Sequence, residues 1–129
     1  AVGNTRDHRG STPLILATYL NNLAAARILV DAGVELDATD GMGNTALMGV
    51  CFKGYRDIAA YLIEAGADVN ARSANGGTAL HFAAMFDRTA IVDLLLKHGA
   101  DKELRDDNGL TAAALAQRQG LTELAERLG

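Results

Sequence analysis

At 129 residues with 49% apolar side chains, the chain is long enough to bury a core, and 12 Lys and Arg against 16 Asp and Glu leave it a net charge of −4. That balance, with no basic block, argues against nucleic acid as a partner, because phosphate binding draws on clustered Lys and Arg. A single cysteine, Cys51, excludes an intramolecular disulfide and a thiolate metal cage, and no stretch approaches the ~20 apolar residues of a membrane span.

Taken in chain order, Thr12 before Pro13 is the arrangement a helix start prefers: a side-chain oxygen to cap free N–H groups, then a residue that lacks one. A short helix is expected from Pro13 to about Leu20, broken by Asn21 and Asn22. A second runs from Leu23 to Ala32 and ends at Gly33, which tolerates a left-handed backbone. Residues 34 to 43 then form an extended finger. The same parse places helices near 46 to 53 and 56 to 65, 79 to 86 and 89 to 98, and 112 to 119 and 122 to 128. Apolar residues at helical spacing, Ile58, Tyr61, Leu62 and Ala65, then Ile91, Leu94, Leu95 and His98, are expected to face a neighbouring unit, with Phe82 also in the core.

The parse repeats because the residues do. Gly10, Gly43, Gly76 and Gly109 are 33 apart, each followed two residues later by Thr12, Thr45, Thr78 or Thr111; Gly33, Gly66 and Gly99, and Leu29, Leu62 and Leu95, keep the same interval. A fixed period of this size means a stacked solenoid, whose units bury their apolar faces only against one another. Gly10-Ser-Thr-Pro-Leu14, Gly43-Asn-Thr-Ala-Leu47, Gly76-Gly-Thr-Ala-Leu-His81 and Gly66-Ala-Asp-Val-Asn-Ala71 resemble the ankyrin-repeat family over residues 7 to 129. The Ala-rich phrasing with Met48-Gly-Val-Cys-Phe52 is similar to that of bacterial members. The resemblance implies an all-α solenoid of helix-turn-helix units with protruding β-hairpin-like fingers, one domain over 1–129, with units at about 7–39, 40–72, 73–105 and 106–129.

The two ends differ. The last unit has Ala113 in place of Leu14, Leu47 and Leu80 and carries Gln117, Arg118, Gln119, Glu123, Glu126 and Arg127, leaving one stripe of Leu121, Leu124 and Leu128, as a C-terminal cap requires. In the first unit Ile15, Leu16, Leu23, Ile28 and Leu29 need outer cover that residues 1 to 6 are too few to supply. The expectation is therefore either an array cut from a longer one, which is favoured, or a first unit unusually apolar on its outer side, monomeric unless this apolar unit self-associates. A cytoplasmic setting is favoured, or a bacterial periplasm if a signal peptide was removed.

No catalytic constellation emerges, and no cofactor or metal is expected. His8, His81 and His98 lack the helical spacing of a zinc protease, and Cys51, Ser11 and Ser73 lack a histidine base. Cys51 is expected as a small buried apolar residue. The resemblance gives His81 the work of hydrogen-bonding finger backbone between repeats. Arg6, Arg72 and Arg105, each followed by Asp7, Ser73 or Asp106, suggest a salt-bridged rim together with Asp40. Asp106 and Asp107 are expected as a solvated pair. Asn70 resembles the finger asparagine that oxygenases hydroxylate in eukaryotic ankyrin proteins, although a turn-stabilising hydrogen bond is its expected role.

In the family, finger tips and the exposed end of the first helix of each unit line a concave surface. Here those positions read Tyr19 and Leu20, Phe52 and Lys53, Met85 and Phe86, with Tyr55 just after the helix and Met42 in a finger. Four of the six aromatic residues fall there. A strip of aromatic and flexible side chains is the composition that interface hot spots favour. The expectation is a non-catalytic module that binds a protein or peptide through Tyr19, Leu20, Met42, Phe52, Lys53, Tyr55, Met85 and Phe86. The alternatives are an inhibitor or immunity-type protein that blocks one enzyme, or a segment of a longer scaffold.

Overall fold

The computed structural model describes residues 11–129, so Arg6, Asp7, His8, Gly10 and the start of the first unit lie outside the described residues. Among these the chain forms eight helices and no strand: α1 (Pro13–Tyr19), α2 (Leu23–Asp31), α3 (Ala46–Lys53), α4 (Arg56–Glu64), α5 (Ala79–Met85), α6 (Thr89–Lys97), α7 (Ala112–Arg118) and α8 (Thr122–Leu128). Threonine sets four of the starts. Thr12, Thr45, Thr78 and Thr111 stand extended before α1, α3, α5 and α7. Each side chain accepts the N–H three residues on, at 3.2 to 3.4 Å. Asn22 caps α2 in the same way, at 3.0 Å from Ala25 N.

Helices α1, α3, α5 and α7 pack side by side as an inner row, and α2, α4, α6 and α8 each pack on the inner helix that precedes them. The core is accordingly a row of interfaces. Leu14, Leu47 and Leu80 fill the inner row, and Ile58, Leu62, Ile91 and Leu95 the outer one, all essentially without solvent access. Full burial of each such side chain contributes about 1.5–3 kcal/mol. Ala65 and His98, expected on the stacking face, are exposed: both are C-cap residues just past the last helical turn. Ile63 and Val92 are the buried residues instead. Tyr61 is half-buried beneath Arg27, whose guanidinium lies 5.1 Å from the ring centre. In the last pair, Gln117, Arg118, Gln119, Glu123, Glu126 and Arg127 are all exposed, while Leu124 and Leu128 are buried.

The fingers are tight turns closed on themselves, by Asp40 N to Asn44 O (2.9 Å), Ser73 N to Gly77 O (2.8 Å) and Asp106 N to Leu110 O (2.9 Å). Asp40 and Asp106 each add a carboxylate oxygen that accepts two backbone N–H groups of the same turn, so Asp106 holds its turn rather than standing free in solvent. Successive fingers join through Ala74 N to Met42 O (3.1 Å) and Asp107 N to Asn75 O (2.9 Å). That junction requires glycine at Gly43, where φ is +76° and a Cβ would lie 2.7 Å from Ala74 N.

The arginine rim differs from expectation. Arg72 donates to Arg105 O at 2.9 Å and Arg105 to Gly109 O at 2.8 Å, so these guanidinium groups tie finger carbonyls together instead of pairing with carboxylates. Asn70 also bridges two fingers, donating to Gly99 O (3.2 Å) and accepting from Asp101 N (2.8 Å).

Candidate functional site

Helices α3, α5 and α7 each run from a finger, and the site is built where helices and fingers meet. His81 shows how a side chain secures that meeting. Its Nδ1 lies 3.1 Å from Thr78 N, closing the cap of α5, and its Nε2 lies 2.8 Å from Leu110 O in the following finger. Met48 occupies the corresponding place in α3. Its Sδ takes the Thr45 N–H at 3.4 Å, but a thioether has no second polar atom to reach the next finger. Cys51 is fully buried beside them, and burial pushes its thiol pKa far up, so it stays a neutral apolar group.

At the C-terminal ends of α1, α3 and α5 the structure brings Tyr19, Phe52 and Phe86 into one strip, exposed by 40%, 38% and 39%. Phe52 and Phe86 stand edge to face, with ring centres 4.7 Å apart and planes at 90°. The Lys53 ammonium lies 4.9 Å from the Tyr19 ring centre and 5.8 Å from that of Tyr55, a cation–π bridge linking the ends of α1 and α3. Arg88 donates twice to Phe52 O, at 3.0 and 3.3 Å, and so pins the end of α3 from the third helix pair. The aromatic side chains thus pack partly on each other yet keep much of their surface in water.

Beside the strip lies a groove of about 500 Å³, lined by Ile15, Leu16 and Tyr19 of α1, Met48, Gly49 and Phe52 of α3, Phe82 of α5, and the finger residues Asp40, Gly41, Met42 and Asn44, together with Ser11 and Thr45. Tyr19, Met42 and Phe52 are the expected site residues that it includes. Leu20 and Met85 are not among its lining; Leu20 is exposed as the C-cap of α1, and Met85 is half-buried. Tyr55 and Lys53 flank Tyr19 outside it. Conversely, Leu16, Met48, Gly49 and Phe82 line the groove although none was expected in the site. The available signal was the 33-residue register itself, which puts Leu16, Gly49 and Phe82 in one column.

A groove of this size lies within the roughly 300–1,000 Å³ of common ligand clefts, and its walls are mainly apolar. It offers packing, and hydrogen bonding from a finger. Among the described residues no group of three or more His, Cys, Asp or Glu could hold a metal ion, and no helix is long and apolar enough to cross a membrane.

Residues 2–73 match a family model described as ankyrin repeats in three copies, and residues 62–116 match a second described as ankyrin repeats in many copies. The first match alone takes in more than half of the chain, and the helix pairs and linked fingers agree with it: the chain belongs to the ankyrin-repeat family.

Proposed function

We propose that this chain, like ankyrin repeats in general a protein–protein interaction module, is a non-catalytic member that grips a partner protein or peptide through the strip Tyr19, Leu20, Met42, Phe52, Lys53, Tyr55, Met85 and Phe86, and that 1–129 acts as one repeat domain closed by the unit at 106–129. The supporting observation is the row of Tyr19, Phe52 and Phe86, held in fixed orientations yet about 40% exposed beside an apolar groove. Aromatic anchors of restricted mobility lose little entropy on binding and still offer apolar ring surface for a partner to cover. The test is parallel affinity capture from source-cell extract with the wild-type chain and a Phe52→Ala, Phe86→Ala variant as baits. A partner held by the first and lost by the folded second supports the strip; equal capture refutes it. If that partner is an enzyme, stoichiometric loss of its activity identifies an inhibitor.

A second reading rests on α2. Ile28 is 70% exposed and Leu29 only half-buried, whereas Leu62 and Leu95, at the position of Leu29, are fully buried within the stack. This face would stack on a further helical unit, as in a longer scaffold. Light scattering showing only monomer at high concentration, with Ile28→Lys unchanged, counts against self-stacking.

A further inference from the structure

Leu16, Gly49 and Phe82 hold the same place in successive inner helices, and all three line the groove. The first and third carry bulky apolar groups; the middle one carries a hydrogen atom. A Cβ built at Gly49 meets one neighbouring atom within 4 Å, Tyr19 Cδ1 at 3.5 Å. No close backbone approach therefore demands glycine there, and glycine inside a helix lowers its stability. What its absence of a side chain does is leave a gap, bounded by Leu16 and Phe82 along the register and by Met42 from the finger.

Among the described residues, the charge lining that gap has one sign. Of those residues Asp40 is the only charged one in the lining, and its Oδ1 is fixed by the N–H groups of Met42 and Asn44 at 2.8 and 3.0 Å. The finger from residue 34 to 43 carries Glu35, Asp37 and Asp40 and no lysine or arginine. Lys53, the nearest cation of the strip, lies over the rings of Tyr19 and Tyr55. A side chain entering the gap is thus favoured if it is apolar and if a positive charge stands next to it.

We propose that the space over Gly49 is a socket for one aromatic or long aliphatic side chain of the partner protein, flanked in the partner by a lysine or arginine that faces Asp40. This rests on the strip as the binding face and narrows what that face selects. Two substitutions address it without attacking the core. Gly49→Leu fills the gap with the residue found at position 16 and strengthens α3, and Asp40→Asn keeps the Oδ1 acceptor while removing the charge.

The probe is a displayed library of short random peptides, selected on the full wild-type chain at low salt. Enriched sequences are then titrated against wild type, Gly49→Leu, Asp40→Asn and the Phe52→Ala, Phe86→Ala variant, each first shown to melt cooperatively. The expected sequences pair an apolar anchor with a neighbouring Lys or Arg. Gly49→Leu should weaken them by roughly tenfold or more, and Asp40→Asn by roughly two- to fivefold with a flatter salt dependence. No enrichment, acidic peptides, or undiminished binding to Gly49→Leu overturns the socket. If binding survives Gly49→Leu but fails with the double variant, the strip stands without the socket; if it survives both, the strip fails too.

Discussion

The ring of Phe86 meets the ring of Phe52 edge to face, 4.7 Å between centres, and this contact joins the ends of α5 and α3 on the surface proposed to bind. Such a pair adds about 0.5–1.5 kcal/mol beyond the area it buries. A double-mutant cycle with Phe52→Ala and Phe86→Ala, followed by urea denaturation, should return a coupling energy in that range. A coupling near zero would mean that the two rings do not hold each other in solution.

His81 and Met48 form a natural comparison, because only the histidine continues from its own cap to the next finger, at Leu110 O. His81→Met should keep the cap and lose the crossing bond, lowering stability by roughly 1–2 kcal/mol. The converse change, Met48→His, is expected to raise stability by about 0.5–1.5 kcal/mol by reaching Gly77 O. Chemical denaturation of both variants checks the pair of signs.

The fully buried Cys51 holds its proton well above its ordinary value near 9.0. An added thiol reagent should label it only on unfolding. The unfolded thiol ionises on crossing its ordinary pKa while the folded one does not, so its contribution to stability is full below that pH. Above it, stability falls by about 1.4 kcal/mol per pH unit. Comparing wild type with Cys51→Ala between neutral and alkaline pH isolates this slope, which the variant should lack.

Asn21, Gly54, Asp87 and Gly120 share one register position between paired helices, and all four have positive φ, from 59° to 83°. Alanine there pays about 1–2 kcal/mol for the left-handed backbone. Asp87 already carries a Cβ into that conformation, so Asp87→Ala should destabilise by only about 0.5–1 kcal/mol, while Asp87→Gly should be neutral to stabilising by up to about 1 kcal/mol after the lost Thr89 hydroxyl bond. Thermal melts of the two variants separate backbone strain from side-chain bonding.

Much of this fold was legible in the residues. The caps at Thr12, Thr45, Thr78 and Thr111 act over three residues, and helices end within about one residue of where local chemistry places them. His81 could be assigned because its motif travels with its role. Arg72 and Arg105 could not be read in the same way: a guanidinium chooses between carboxylate and carbonyl by three-dimensional reach, and here the carbonyls of the neighbouring finger and of its own turn are within reach. The family framework assigns Phe82 to the core, yet it is a half-buried groove wall. Gly49 is not legible in the sequence for a different reason. It acts by lacking a side chain, which shows only when its column with Leu16 and Phe82 is followed through space.

Backbone hydrogen exchange of the chain, alone and with a captured partner, tests binding through the strip most directly. Binding by the strip predicts slowed exchange at the C-terminal ends of α1, α3 and α5 and in the finger at 40–44, with α4, α6 and α8 unchanged. Protection confined to the outer helices, with the ends of α1, α3 and α5 exchanging as in the free chain, would contradict it.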